Sequence, residues 1–224
     1  MKITWLGQAG LLFETCGKKI IVDPYLSDSV EKIQPKNKRR VPVDGGFLKI
    51  KPDVLVLTHN HLDHTDPETL PHYLSCGGSC LVLASKNAWD EVRKFGGDHN
   101  YVMFNRRTLF SYGDITFYSV RAQHSDLEAV GVIIRAEGKN YYITGDTLYN
   151  DEIFADLNRD IDVIFVPING VGNNMNIKDA ALFAKKAGAK TAVPVHWGMF
   201  DSIDPNGFDF ENKVIPEIYK EIVL

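Results

Sequence analysis

Residues 54–64 read Val54-Leu55-Val56-Leu57-Thr58-His59-Asn60-His61-Leu62-Asp63-His64. The apolar run has the length and β-branched content of a buried strand, and it delivers three imidazoles and a carboxylate into the turn that follows. That exceeds any packing need, because each buried ring nitrogen or carboxylate would require a partner of its own. The segment therefore reads as metal-binding. His59 and His61 are two residues apart, so in extended chain they point the same way and can share one ion. Asp63 and His64 follow where the loop bends towards a helix, and can address a second. Each ion then needs further ligands from elsewhere.

Working outward, three other segments end alike. His124 follows Ile115-Thr116-Phe117-Tyr118-Ser119-Val120 and a short connection, Asp146 follows Tyr141-Tyr142-Ile143-Thr144-Gly145, and His196 follows Ala192-Val193-Pro194-Val195. Loops beyond strand ends are where a rigid scaffold presents chemistry. His72 and His99 lack that setting and are left out.

The N-terminal third predicts strands over 2–6, 10–14 and 19–22, then an aperiodic excursion over 25–50. Asp66-Pro67-Glu68 predicts a helix to about Tyr73, with Asp66 as its cap and Pro67 in its first turn. A strand over 81–83 and a helix over 87–95 follow, then strands over 101–104, 108–111, 114–120, 130–136 and 140–143. The chain closes with helices over 150–158, 177–187 and 209–222 and strands over 162–166 and 190–195. Two meanders with helices to cover them imply two packed sheets with helices outside. No linker divides the chain, so residues 1–224 are read as one domain.

At 224 residues with 44 % hydrophobic side chains, the chain can bury a sizeable core. A net charge of -4 argues against nucleic acid as a bulk partner. Met1 leads straight into a strand-like run, no apolar stretch approaches a membrane span, and Cys16, Cys76 and Cys80 read as free thiols. A cytoplasmic location without membrane contact is expected.

Thr58-His59-Asn60-His61-Leu62-Asp63-His64, Gln123-His124-Ser125, Thr144-Gly145-Asp146 and Val195-His196-Trp197, in that order, resemble the metallo-β-lactamase superfamily. Trp5-Leu6-Gly7-Gln8-Ala9-Gly10, Val22-Asp23-Pro24 and Pro167-Ile168-Asn169-Gly170 resemble its branch around L-ascorbate-6-phosphate lactonase. The resemblance implies an α/β fold, the four-layer αββα sandwich, and assembly into homo-oligomers. It implies that His59, His61 and His124 hold one metal, that Asp63, His64 and His196 hold the other, that Asp146 bridges them, and that Asp23 orients a ligand imidazole. Ascorbate lactonases are longer than this chain, so their outlying substrate contacts do not transfer. The oxygen-reducing diiron branch carries glutamate where this chain has His61, which argues against redox chemistry.

Nitrogen and oxygen ligands without thiolate suit Zn²⁺ or Mn²⁺, with Fe²⁺ also compatible. The expected activity is hydrolysis of a lactone or ester of a small, phosphorylated or otherwise anionic, metabolite by a metal-bound hydroxide, with Asp146 and Asp63 as the catalytic carboxylates. A metal-dependent phosphodiesterase or nuclease is the alternative, and a non-catalytic metal-binding protein the second. Substrate contacts are expected from Gln8, Arg39, Arg40, Asn169, Asn174 and Trp197, the arginines by pairing with an anionic group.

Overall fold

The computed structural model describes every residue except 76, 158 and 159. The thiol expected at Cys76 and the end of the helix expected over 150–158 therefore lie outside the described residues. The chain folds into two six-stranded sheets. In the first, β1 (Lys2–Gly7), β2 (Gly10–Thr15) and β3 (Lys18–Val22) form an antiparallel meander. Then β4 (Val54–Leu57), β5 (Leu81–Ala84) and β6 (Asn100–Met103) join it in parallel. The second sheet repeats the plan. An antiparallel run of β7 (Leu109–Tyr112), β8 (Ile115–Arg121), β9 (Val130–Ala136) and β10 (Lys139–Ile143) continues in parallel with β11 (Val163–Pro167) and β12 (Thr191–Val195).

The period-two alternation of side chains divides three cores. Val54 and Val56 of β4, and Val163 and Phe165 of β11, face the space between the sheets, where they join Trp5, Phe13 and Phe117. Their neighbours Leu55 and Leu57 face outward under α2 (Leu70–Leu74) and α3 (Lys86–Val92). On the far side Ile164 and Val166 face α4 (Ile177–Lys186). This is the expected order of helix, sheet, sheet, helix. Parallel strands covered on both faces are continuously apolar, which is why β4 and β11 are buried throughout. No helix among the described residues is long and apolar enough to cross a membrane.

Three helix expectations need correction. Residues 67–69 form a turn and α2 starts at Leu70 with Thr69 at its N-cap, so Asp66 does not cap it and instead accepts from Glu68 N at 3.1 Å within the turn. Residues 151–156 form a 3₁₀ helix in place of an α-helix. The helix expected over 209–222 does not exist. Instead Val214 N donates to Ala192 O (3.0 Å) and Ile222 N to Ile3 O (2.8 Å), so the tail runs along β12 and then along β1. Pro216 cannot sustain a helix interior, and both edge strands offer unpaired backbone groups that the tail satisfies. The excursion over 25–50 holds α1 (Ser29–Ile33) and two 3₁₀ turns.

Candidate metal centre

Strand ends from both sheets meet at one edge of the sandwich. Residues 59–64 follow β4, His124 follows β8, Asp146 follows β10 and His196 follows β12, while Asp23 ends β3 and Gln8 turns β1 into β2. Gln8, Asp23, Asn173 and His196 all adopt positive φ (48°, 43°, 63° and 58°). Non-glycine residues hold such conformations only where the surroundings over-determine them, and they gather at functional sites. Gly145, at φ 62°, is required: a Cβ there would lie 3.0 Å from Val130 O and 3.1 Å from Thr58 Cβ. The Thr144-Gly145-Asp146 turn could not otherwise seat against the start of the histidine loop.

Three groups of candidate ligands result, of which the third, Asp23, His59 and His64, shares one histidine with each of the other two. His59, His61 and His124 bring one nitrogen each within 4.8 Å of one another, and Asp63, His64 and His196 do the same with two nitrogens and a carboxylate oxygen. In the first group His124 Nε2 lies 3.1 Å from His61 Nδ1. In the second, His196 Nε2 lies 3.3 Å from Asp63 Oδ2. Asp146 Oδ1 stands 3.3 Å from His64 Nε2 and 3.4 Å from His196 Nε2.

The first two groups differ in charge. Burial, with the His64 charge nearby, pushes His59 well below the usual histidine range, and burial also pushes His124 down. Burial would do the same to His64 and His196, but Asp146 and Asp63 outweigh it, holding His64 well above its usual value and His196 at about 10. Reciprocally, Asp63 and Asp146 stay below the usual carboxylate range despite burial, because those imidazoles favour their ionised forms. The carboxylates Asp63 and Asp146 thus lie on the side of His64 and His196, and His59 and His124 lie apart from them.

A surrounding set of bonds fixes the ligands. Asp23 Oδ2 is 2.8 Å from His64 Nδ1, as expected of an orienting partner, and Thr58 N donates to Asp23 Oδ1 at 2.8 Å. Asn174 Nδ2 donates to Asp146 Oδ2 (2.7 Å), and His124 Nδ1 lies 3.2 Å from Asn173 O. Asp126 takes Asn60 N (3.1 Å) and Asn87 Nδ2 (2.6 Å), which pins the histidine loop to α3. The sequence reading missed Asp126. Its place two residues after His124 was the only available signal, and it carries no pattern.

The residues present fit a metal site. His59 Nε2, His64 Nε2, His196 Nε2 and Asp146 Oδ1 are buried and have no hydrogen-bond partner, a costly state for four converging polar atoms unless a cation takes them.

The centre forms the floor of a cavity of about 840 Å³, large enough for a small metabolite. Asn169 and Asn174 line it, with Lys36 of the basic run Lys36, Lys38, Arg39 and Arg40 that the sequence offered to an anionic group, and with Ile33, Val171 and Phe200, which the sequence did not single out. Gln8 sits behind the floor, on Asp63. Trp197 packs 5.1 Å from Trp5 and donates to Pro194 O, outside the lining. The arginines are a correction. The Arg39 side chain is buried, donating to Tyr25 O (2.9 Å) and Tyr219 OH (3.0 Å), and neither Arg39 nor Arg40 lines the cavity. Arginine's fixed fork of donors suits it to cross-link a loop in this way.

A family model for the β-lactamase superfamily domain matches residues 2–196. The chain is 31 % identical, over 225 residues, to a metal-dependent hydrolase of Geobacillus thermodenitrificans, with 93 % of this chain and 91 % of that protein covered. In fold it is similar to a novel metallo hydrolase from the hyperthermophilic archaeon Ignicoccus hospitalis (22 % identity, 98 % and 96 % covered, TM-score 0.76). It is also similar in fold to an isothiocyanate hydrolase from Delia radicum gut bacteria (19 % identity, 100 % and 99 % covered, TM-score 0.74).

Proposed function

The chain belongs to the β-lactamase superfamily, and from that premise we propose that it is a dinuclear metal-dependent hydrolase of a small, anionic lactone or ester. The coarse class, metal-dependent hydrolase, is that of its relative at 31 % identity over nearly the whole chain. The number of ions and the bond cleaved are this article's reading. The observation that carries the first is the pair of ligand groups, three side chains each, with Asp146 Oδ1 between His64 and His196 and without a hydrogen-bond partner.

When bound, two divalent ions supply Lewis acidity and an activated water. Zn²⁺ and Mn²⁺ both suit the donor set. The chain's own residues do the rest. Asp146, oriented by Asn174 Nδ2 at its Oδ2, is the carboxylate placed to carry a proton to the leaving group. Ile33, Val171 and Phe200 give the mouth an apolar wall, which excludes water from around the reacting group. Among the described residues that line the cavity Lys36 is the one lysine or arginine, which supports an anionic substituent on the substrate. A lactone or ester, whose hydrolysis needs only a nucleophilic water and a proton carrier, fits this equipment. The branch resemblance read from Trp5-Leu6-Gly7-Gln8-Ala9-Gly10 points the same way. The fold alone does not choose the substrate.

The test is metal content per chain on protein purified without chelator, followed by assay of the same sample on phosphorylated lactones and a generic phosphodiester. Two ions with lactone turnover is the expected result. Turnover of the phosphodiester alone would replace the substrate class, and a chain that stays metal-free and inert after Zn²⁺ or Mn²⁺ addition would overturn the enzyme reading.

A further inference from the structure

Gln8 is 1 % exposed and lies in the turn between the first two strands, at φ 48°. Its backbone carbonyl accepts from Trp5 Nε1 (2.9 Å) and from His196 N (2.9 Å), so this one oxygen ties the first sheet to the end of β12 in the second. Its side-chain Nε2 donates to Asp63 Oδ2 at 3.0 Å and lies 3.5 Å from His196 Nδ1. Two of the three members of the second ligand group are therefore held by one residue, Asp63 through the Gln8 side chain and His196 through the Gln8 backbone carbonyl. The first group is held by other means: among the described residues, Thr58 Oγ1 lies 3.1 Å from His59 Nδ1, Ser125 Oγ 3.3 Å from His61 Nε2, and Asn173 O 3.2 Å from His124 Nδ1.

The chemistry of the amide explains why this residue type stands there. Gln8 Nε2 donates to the Asp63 carboxylate oxygen, so the amide presents its NH₂ to it. That fixes Oε1 as a buried acceptor with no partner. A lysine in this position would also donate to Asp63, but its charge would compete with a cation for the same carboxylate. A glutamate would repel it. The neutral amide orients the carboxylate and leaves its charge for the ion. A left-handed, buried, non-glycine residue whose carbonyl and amide both address the same ligand group is over-determined by its surroundings, in the manner of strain kept at functional sites.

We infer that Gln8 is the positioning residue of the second ligand group and sets that group's ion affinity independently of the first. The inference rests on the dinuclear reading above. Outer partners of metal ligands tune affinity by fixing ligand orientation, and here the orienting contacts are confined to one of the two groups.

The experiment titrates the metal-free full chain with Mn²⁺ by calorimetry, with electron paramagnetic resonance to distinguish a lone ion from a coupled pair. The melting temperature of the metal-free protein is recorded alongside. For Gln8→Leu the first ion should bind as in the wild type and the second about 10- to 100-fold more weakly, so that the coupled-pair signal is lost at one to two equivalents. Gln8→Asn keeps the amide but withdraws it by one methylene. It should give an intermediate loss confined to the second ion, and it carries the test if Gln8→Leu does not fold. Equal weakening of both ions, or an unchanged second ion in a folded variant, would overturn the inference while leaving the dinuclear reading intact. A wild-type chain that takes up a single ion would overturn that reading itself, and the inference with it.

Discussion

Asp146 and His196, on the floor of the cavity, are 5 % and 4 % exposed and His59 and His64 are fully buried, whereas Ile33 and Val171 at its mouth are 69 % and 66 % exposed. The floor grows from strand ends of both sheets, and its side chains are tied by Asp23, Gln8, Asn174 and Asp126. The mouth is built from the excursion after β3 and the loop after β11, where Lys36 is exposed. The difference separates what must be placed to a fraction of an ångström, namely ions and proton carrier, from what need only recognise a substrate. Loops presented by a rigid scaffold can vary without disturbing the chemistry beneath them.

The comparison is broken most directly on the floor. His61→Ala should remove an ion, measured as metal per chain, and lower hydrolysis by more than about 100-fold, since loss of even an outer partner costs 10- to 100-fold. An unchanged metal count would remove His61 from the ligand set. Asp23→Asn should weaken metal binding by about 10- to 100-fold while the chain stays folded, because His64 Nδ1 loses its carboxylate partner. Retained affinity would show that Thr58 and the backbone suffice to hold His64.

Beside the floor, Asp156 tests how far its support extends. Burial would raise this carboxyl, but Arg106 Nε (2.6 Å), Arg107 Nε (2.7 Å) and Arg121 N (3.0 Å) donate to it and hold it down at about 2. An unfolded Asp titrates near ~3.9, so this stabilisation is fully present above about pH 4 and is lost as the pH falls through about 2. It amounts to roughly 2 kcal/mol. Urea unfolding should show Asp156→Asn losing that much at pH 7 and little at pH 2. An equal loss at both would mean that packing, and no charge, is at stake.

Arg39→Ala sharpens the comparison from the mouth's side. It should cost about 1–3 kcal/mol, because Tyr25 O is left buried without its donor, and leave KM for anionic substrates unchanged. A raised KM at unchanged stability would restore the sequence-based role. Lys36→Ala should have the smallest effect, a KM raised a few-fold for anionic substrates only, with the melting temperature unmoved. An equal rise for uncharged analogues would point to loop disorder instead of charge recognition.

The floor was legible because its ligands carry their own signal. His59, His61, Asp63 and His64 sit together in sequence, and His124, Asp146 and His196 each close an apolar run. The strands were legible for a related reason, since β4 and β11 are buried on both faces and must be apolar throughout. The tail was not. Residues 209–222 are extended because the open edges of β1 and β12 take their backbone groups, and an edge in need of a partner is not written in the tail's own residues. The basic loop misled for the same reason: Lys36, Lys38, Arg39 and Arg40 look alike in a run of sequence, and only the positions of Tyr25 and Tyr219 decide that Arg39 is buried while Lys36 lines the cavity.

The sequence by itself made legible the two-sheet architecture and the candidate ligand set, because side-chain period and ligand type are local properties of the chain. The tertiary structure alone decided that those side chains converge, that Gln8 stands behind Asp63, and which of four neighbouring cations lines the cavity. Those are distances between strand ends far apart in sequence, fixed only when the two sheets pack.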